Sequence, residues 1–317
     1  HNERHMGGLI IPTQDIGRIK AKYDRDKKPM PFASVIGPDP LSAIASSVAY
    51  GVNADEADLA GAIRQKPVEL VKCKTVDLEV PAHAEIILEG EVLHDVIVDE
   101  GPFGEYSGYR STPRLPRSVY KVNCITHRND PILVMSNMGV PPDDGQITYA
   151  CTGVRTAALR ALQEQGIPVT GVYVPPEGVG HLVIVAVKKT YNNIATQIAQ
   201  VVFGTSGSPM FAHQLIVVDD DVDPYNLAEV LHAVATKCHP INGVITYPAW
   251  GHPLAPYLSL HERTWGKGGK LVLDCTWPLD WDRENEVPMK SSFKTIYSQE
   301  IQDTVLKNWK EYGFKND

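Results

Sequence analysis

Two carboxylates five residues apart, in Glu100-Gly101-Pro102-Phe103-Gly104-Glu105-Tyr106-Ser107-Gly108-Tyr109, are the residues here best suited to acid–base chemistry. A helix would put Glu100 and Glu105 on different faces, but Gly101, Pro102 and Gly104 rule a helix out. In a tight turn the glycines let the backbone fold so that both carboxylates approach one cavity. Two carboxyl groups in one partly buried place push each other's pKa apart. One then holds a proton near neutral pH while the other stays ionised. A proton-delivering active site needs that division. A solvated acidic turn is the competing reading of the same pattern.

The elements that must position this turn are strand-like on both sides. Residues 6–11, 32–36, 68–73, 85–88, 119–126 and 132–135 alternate or are β-branched and read as strands. Residues 16–23, 40–49 and 56–63 read as helices, the last capped by Asn53 or Asp55. Residues 148–165 form the clearest helix, with Val154, Ala157, Ala158, Ala161 and Leu162 on one stripe, Gly166 as its stop and Pro168 beyond. After it strands (169–174, 182–187, 214–218) alternate with helices (192–203, 226–236), and 271–274 closes the series. This change of pattern divides the chain into a β-rich part, 1–165, an α/β part, 166–275, and a tail, 276–317. In the tail, 298–314 reads as an amphipathic helix whose apolar face, with Ile301, Val305, Leu306 and Trp309, needs a partner. The fold class is α+β.

EGPFGEYSGY resembles the signature of the UbiD-like decarboxylases. So do Ala45-Ser46-Ser47, Asp55-Glu56-Ala57 with Gly61, Glu69-Leu70-Val71-Lys72-Cys73, Val80-Pro81-Ala82, Glu85-Ile86-Ile87-Leu88-Glu89-Gly90, Tyr120-Lys121-Val122-Asn123 and Leu306-Lys307-Asn308-Trp309, in the family's order. The resemblance implies a split β-barrel holding prenylated FMN, followed by an α/β domain that carries oligomer contacts. It implies reversible, non-oxidative removal of CO2 from aromatic, heteroaromatic or α,β-unsaturated acids through an adduct with the prenylated flavin. Decarboxylation leaves electrons on carbon, no side chain is a good electron sink, and a cofactor is required. A flavin prenyltransferase would supply it.

By the same resemblance Glu105 matches the proton donor and Glu100 the carboxylate that pairs with a family Arg. That Arg would precede His1, and Arg4 is the nearest candidate in this sequence. The stretch from Arg4 to Ile11 aligns inside the family's catalytic domain, so the sequence reads as roughly its C-terminal two-thirds. Glu56 matches a ligand for Mn2+ or Mg2+ beside the flavin phosphate; the competing reading is an exposed glutamate in a first helical turn. Gln14 aligns with a flavin-contacting position, and Asp15 stands where the family has a metal-binding His. Ala45, Ser46, Ser47 and Val48 match groups near the flavin phosphate and a K+ ion, although serines at a helix end are more often caps. Gly204-Thr205-Ser206-Gly207-Ser208 is a weak phosphate-loop pattern without its lysine. Met210, Phe211, Trp250, His252 and Leu254 are expected at the substrate pocket, with His213 and His252 as recognition groups or ordinary structural histidines.

Composition excludes other classes. The net charge of −8 is dispersed over 317 residues, which disfavours nucleic acid and anionic membranes. Apolar runs are too short to span a bilayer. Five scattered cysteines without CxxC spacing point to reduced thiols and a cytoplasmic setting. Aromatic content of 8% offers no sugar platforms for a carboxylate-pair glycosidase. The remaining alternative is a non-catalytic fragment or oligomerisation subunit that does not bind flavin productively.

Overall fold

A computed structural model of the chain describes residues 2–12, 15–46, 55–146, 152–205 and 212–315. Contacts group 1–189 with 193–276 into one compact unit, and 190–192 with 277–317 into a second.

The first unit opens with β1 (His5–Gly8), α1 (Asp15–Arg25), β2 (Met30–Ile36), α2 (Pro40–Ser46), α3 (Glu56–Arg64), β3 (Leu70–Lys72), β4 (Glu79–Pro81), β5 (Ile86–Glu100), β6 (Leu115–His127) and the single turn α4 (Asp144–Gln146). β1, β6, β5 and β2 lie in that order in an antiparallel sheet, and β3 and β4 make a two-stranded ribbon. Met30, Phe32 and Val92 form the buried centre of the large sheet, with Tyr120 edge-on to Phe32. Asp39 caps α2, accepting from the Leu41 and Ser42 amides at 3.1 and 3.2 Å, and its carboxylate pairs with Arg64 of α3. Asp55 caps α3, as expected, by accepting from Ala57 N at 2.8 Å.

Where the sequence suggested a four-residue strand at 85–88, β5 runs on to Glu100. The register with β6 shifts between Val92 and Ile97, and Asp95 lies there at φ 52°. That irregularity hides the second half of the strand from a period-two reading. Residues 132–135 are not a strand. They are exposed and irregular, and the Ile132 amide donates to the Glu85 carboxylate at 3.0 Å.

The rest of the first unit contains α5 (Arg155–Glu164), β7 (Val169–Tyr173), β8 (Leu182–Val187), α6 (Ile194–Gly204), β9 (Gln214–Asp219), α7 (Leu227–Lys237), β10 (Val244–Trp250), α8 (Leu260–Thr264) and β11 (Lys267–Cys275). Their sheet order is β10-β11-β9-β8-β7; β8, β9 and β11 are parallel and the two edge pairings antiparallel. The unbroken apolar run of β8 is explained by burial on both faces. Val183, Val185 and Val187 pack with α5 and α6, while Ile184 and Ala186 pack with Val230 and Ala233 of α7. Each fully buried valine or isoleucine among them contributes about 1.5–3 kcal/mol relative to exposure. β4 and β10 carry too weak a pattern to be read from sequence; residues 152–154 form a π turn ahead of α5, and 148–151 of the expected helix lie outside the described residues.

The second unit holds α9 (Phe293–Ile296) and α10 (Gln299–Lys307). The expected tail helix is real but ends at Asn308, and the chain then curls so that Trp309 and Phe314 stack at 4.4 Å. Ile301 and Leu306 remain exposed. Among the described residues no helix is long and apolar enough to cross a membrane. Cys73, Cys124, Cys238 and Cys275 are free thiols.

Candidate active site

Residues 101–114 connect β5 to β6 and carry the carboxylate-bearing turn. Register places Glu100 opposite Leu115 and Val98 opposite Arg117, so Glu100 and Arg117 are diagonal neighbours on one face. Arg117 Nε lies 3.6 Å from Glu100 Oε2, with both side chains at least three-quarters buried. Arg117 is a cationic neighbour of Glu100 that the sequence reading did not single out. Arg4 is exposed at a turn and contributes its carbonyl to Val122. The signal for Arg117 lay in strand register, which the sequence conceals.

Glu105 sits in a short turn closed by its own amide donating to Tyr109 O at 3.0 Å and by the Gly108 amide donating to Glu105 O at 2.9 Å. Gly104 lets this turn press backbone to backbone: a Cβ there would stand 2.9 Å from Gly139 Cα. Gly101 adopts φ 85°, and its bond to Pro102 is cis. Burial raises the Glu105 pKa above the ordinary carboxylate range, the Glu100 charge raises it further, and Arg117 opposes them. Glu100, Glu105 and Arg117 line one small recess. Gly8 on β1 packs flat on Tyr120, where a Cβ would meet the ring at 2.6 Å, and burial followed by the Glu100 charge raises the tyrosine's pKa.

A larger cavity of about 550 Å3 adjoins the recess and shares Leu9, Thr112, Arg117 and Leu254 with it. Its walls are mainly apolar, with Ile11, Met138 and Leu260 prominent, and its polar groups include Tyr106, His252, Arg117 and Arg263. That volume and lining suit a flat aromatic body with a few directed polar contacts. Arg263 donates to the carbonyls of Ser111 and Pro256, and its buried Nε has no acceptor among the described residues. An acceptor-bearing aromatic group is chemically compatible with such a wall, and a flavin ring system meets that description.

His252 and Leu254 both line this cavity. Burial, reinforced by His181, His213 and Lys270, pushes the His252 pKa down to about 3, so the ring is neutral at ordinary pH. Trp250, exposed at the end of β10, meets His252 edge-on at 5.8 Å but lines a different cavity, with Phe203 and Lys270. The His213 ring lies tilted against His181, with the centroids 4.6 Å apart. Ala45 is fully buried, whereas Ser46 is exposed and its hydroxyl returns to Ala43 O at 2.9 Å as a local helix-end contact. Glu56 is exposed on the first turn of α3, and Asp15 pairs with Arg18 at 3.4 Å. Among the described residues no three metal-binding side chains converge. Gln14, Ser47, Val48, Met210 and Phe211 lie outside the described residues.

Comparison with known proteins decides the family. Residues 1–141 match the 3-octaprenyl-4-hydroxybenzoate carboxy-lyase (UbiD) Rift-related domain, and residues 148–275 match the C-terminal domain of the same family. The chain belongs to the UbiD family. It is 30% identical over 318 residues to pyrrole-2-carboxylic acid decarboxylase of Pseudomonas aeruginosa, covering 98% of this chain and 64% of that protein. It is 31% identical over 329 residues to ferulic acid decarboxylase 1 of Saccharomyces cerevisiae, covering 99% and 64%. Among solved structures it is similar to the UbiD-class enzyme HmfF of Pelotomaculum thermopropionicum in complex with FMN, with a TM-score of 0.80, 29% identity and coverage of 91% and 62%. An evolved dimeric form of HmfF in complex with prFMN gives 0.74, 28%, 92% and 63%. The UbiD-family chain thus spans about 64% of the length of the curated relatives it matches.

Proposed function

We propose that this UbiD-family chain carries the proton-transfer half of a prenylated-FMN-dependent decarboxylase acting reversibly on aromatic, heteroaromatic or α,β-unsaturated carboxylic acids. The observation that carries the reading is the recess holding Glu100, Glu105 and Arg117 beside an apolar cavity of about 550 Å3. Bound prenylated FMN would supply the electron sink that no side chain offers. Leu9, Met138, Leu254 and Leu260 hold the planar groups and exclude water, which strengthens the electrostatics of the recess. Glu105, whose pKa is raised by burial and by the Glu100 charge, gives its proton to the carbon that has lost CO2. Arg117 holds Glu100 in place beside it.

In this reading residues 1–165 form the flavin-binding split barrel and 166–275 the α/β domain. The exposed Ile301 and Leu306 support a homo-oligomer. Glu56, with Asp58 on the same helical turn, would be the carboxylate for a divalent cation, and Ala45 with Ser46 would hold the flavin phosphate and a K+ ion.

The test is to co-produce the protein with a flavin prenyltransferase, then record its visible spectrum, intact mass and CO2 release from a panel of aromatic acids. A bound modified flavin and turnover lowered at least about a hundredfold by Glu105→Gln are expected. A second reading, a scaffold that does not bind flavin productively, is favoured by the exposure of Glu56 and the lack of three converging metal donors among the described residues. A colourless, inert protein would establish it.

A further inference from the structure

Tyr106 follows Glu105 directly, and its hydroxyl reaches two histidines far along the chain. It lies 3.2 Å from His252 Nδ1 and 3.4 Å from His181 Nε2. The roles in this cluster follow from one backbone group. The Leu254 amide donates to His252 Nδ1 at 3.1 Å, which makes Nδ1 an acceptor and puts the proton of the neutral ring on Nε2. With Nδ1 unprotonated, the Tyr106 hydroxyl is the donor in its contact with His252 and shares the Nδ1 lone pair with the Leu254 amide, while His181 Nε2 meets the same hydroxyl. The Ala255 amide donates to His252 O at 3.0 Å, so the segment after β10 is itself a closed turn. His181 precedes β8 and is buried, with the His213 ring tilted against it and Tyr257 4.7 Å from His213.

We infer that Tyr106 is a positioning residue, whose hydroxyl ties the turn bearing Glu105 to the cavity wall at His252 and Leu254. Three features carry this. The turn from Glu105 to Tyr109 is closed by two backbone hydrogen bonds, so a shift of Tyr106 carries Glu105 with it. Tyr106 and His252 both line the cavity, so the tie spans its wall. Ring packing alone would be served by phenylalanine, yet the hydroxyl sits where it satisfies buried imidazole nitrogens. The consequence for catalysis rests on the decarboxylase reading above; the tie itself does not. Protonating His252 would remove the acceptor that both Tyr106 and Leu254 use. The groups facing it are His181, His213 and Lys270, all basic, and each disfavours a second positive charge there.

The test uses the full chain without cofactor. Amide hydrogen exchange is followed at Glu105, Gly108 and Leu254 in the wild type, Tyr106→Phe, His252→Asn and His252→Phe. Loss of one neutral hydrogen bond should speed exchange at Glu105 and Gly108 about tenfold in Tyr106→Phe. His252→Asn, which can present an acceptor oxygen near the Nδ1 position, should stay within about threefold of wild type, whereas His252→Phe should match Tyr106→Phe. Exchange in Tyr106→Phe within twofold of wild type at both amides overturns the inference, whatever the histidine variants do. In flavin-loaded enzyme, Tyr106→Phe should lower kcat about tenfold with little change in KM, the signature of a misplaced proton donor. Faster exchange with an unchanged kcat would also overturn the positioning role. If the loaded wild type shows no decarboxylation, the functional reading fails while the exchange measurement still decides the tie.

Discussion

Arg117 Nε stands 3.6 Å from Glu100 Oε2 across the β5–β6 ladder, and the two charges act on Glu105 with opposite signs. Glu100→Gln removes a charge that raises the Glu105 pKa, so that pKa should fall. Arg117→Gln removes the charge that lowers it, so it should rise. Proton delivery needs protonated Glu105, and activity is lost as pH rises through its pKa. The alkaline limb of the rate profile should therefore move down in Glu100→Gln and up in Arg117→Gln. Carboxyl 13C titration of Glu105 in cofactor-free protein checks both directions. Shifts of the same sign in the two variants would refute the pairing.

His252 predicts an acid sensitivity. Its folded pKa of about 3 lies below the ordinary histidine value of 6.5, so the unfolded chain binds the proton first as pH falls. Stability from the neutral ring is fully present above about pH 6.5 and declines below it, by up to about 1.4 kcal/mol per pH unit, until pH reaches the folded value. Between pH 7 and 4.5 the wild type should lose about 2 kcal/mol more than His252→Asn in denaturant unfolding. Equal losses would show that His252 takes up its proton without cost.

Gly104→Ala tests the close backbone approach beneath the Glu105 turn. Its Cβ would sit 2.9 Å from Gly139 Cα and 3.3 Å from Met138 O, and neither neighbour is a flexible side-chain end. Thermal unfolding should show a loss of about 1–3 kcal/mol. Turnover should fall more than stability implies, because the turn must move to admit the methyl group.

Glu89 offers a contrast, a buried carboxylate with a structural task. It is 1% exposed and accepts from the Lys74 amide at 3.0 Å, the Thr75 amide at 2.7 Å and the Thr75 hydroxyl at 2.8 Å. Burial alone would raise its pKa, but these donors together lower it. Glu89→Ala strands the donors and should cost about 2–4 kcal/mol in urea unfolding. The pH dependence of turnover should stay as in wild type, which separates Glu89 from the Glu100–Glu105 pair.

The sequence by itself determined the local pieces, because short-range chemistry decides them. Glycines and a proline between Glu100 and Glu105 demand a turn, Asn53 or Asp55 marks the start of α3, and the apolar run of β8 reads as a strand. The signature string was enough to name the expected chemistry of Glu105. Only the tertiary structure decided which groups meet. Arg117 reaches Glu100 through a register reset by the irregularity between Val92 and Ile97, and a one-residue slip would have turned it to the other face. Tyr106 meets His252 across 146 positions, a juxtaposition that no periodicity encodes. Residues 132–135 have a strand's composition but do not form one, since strand formation depends on a neighbouring edge as well as on propensity. Local preference is written residue by residue, whereas the pairing of distant segments depends on register and packing summed over the whole chain.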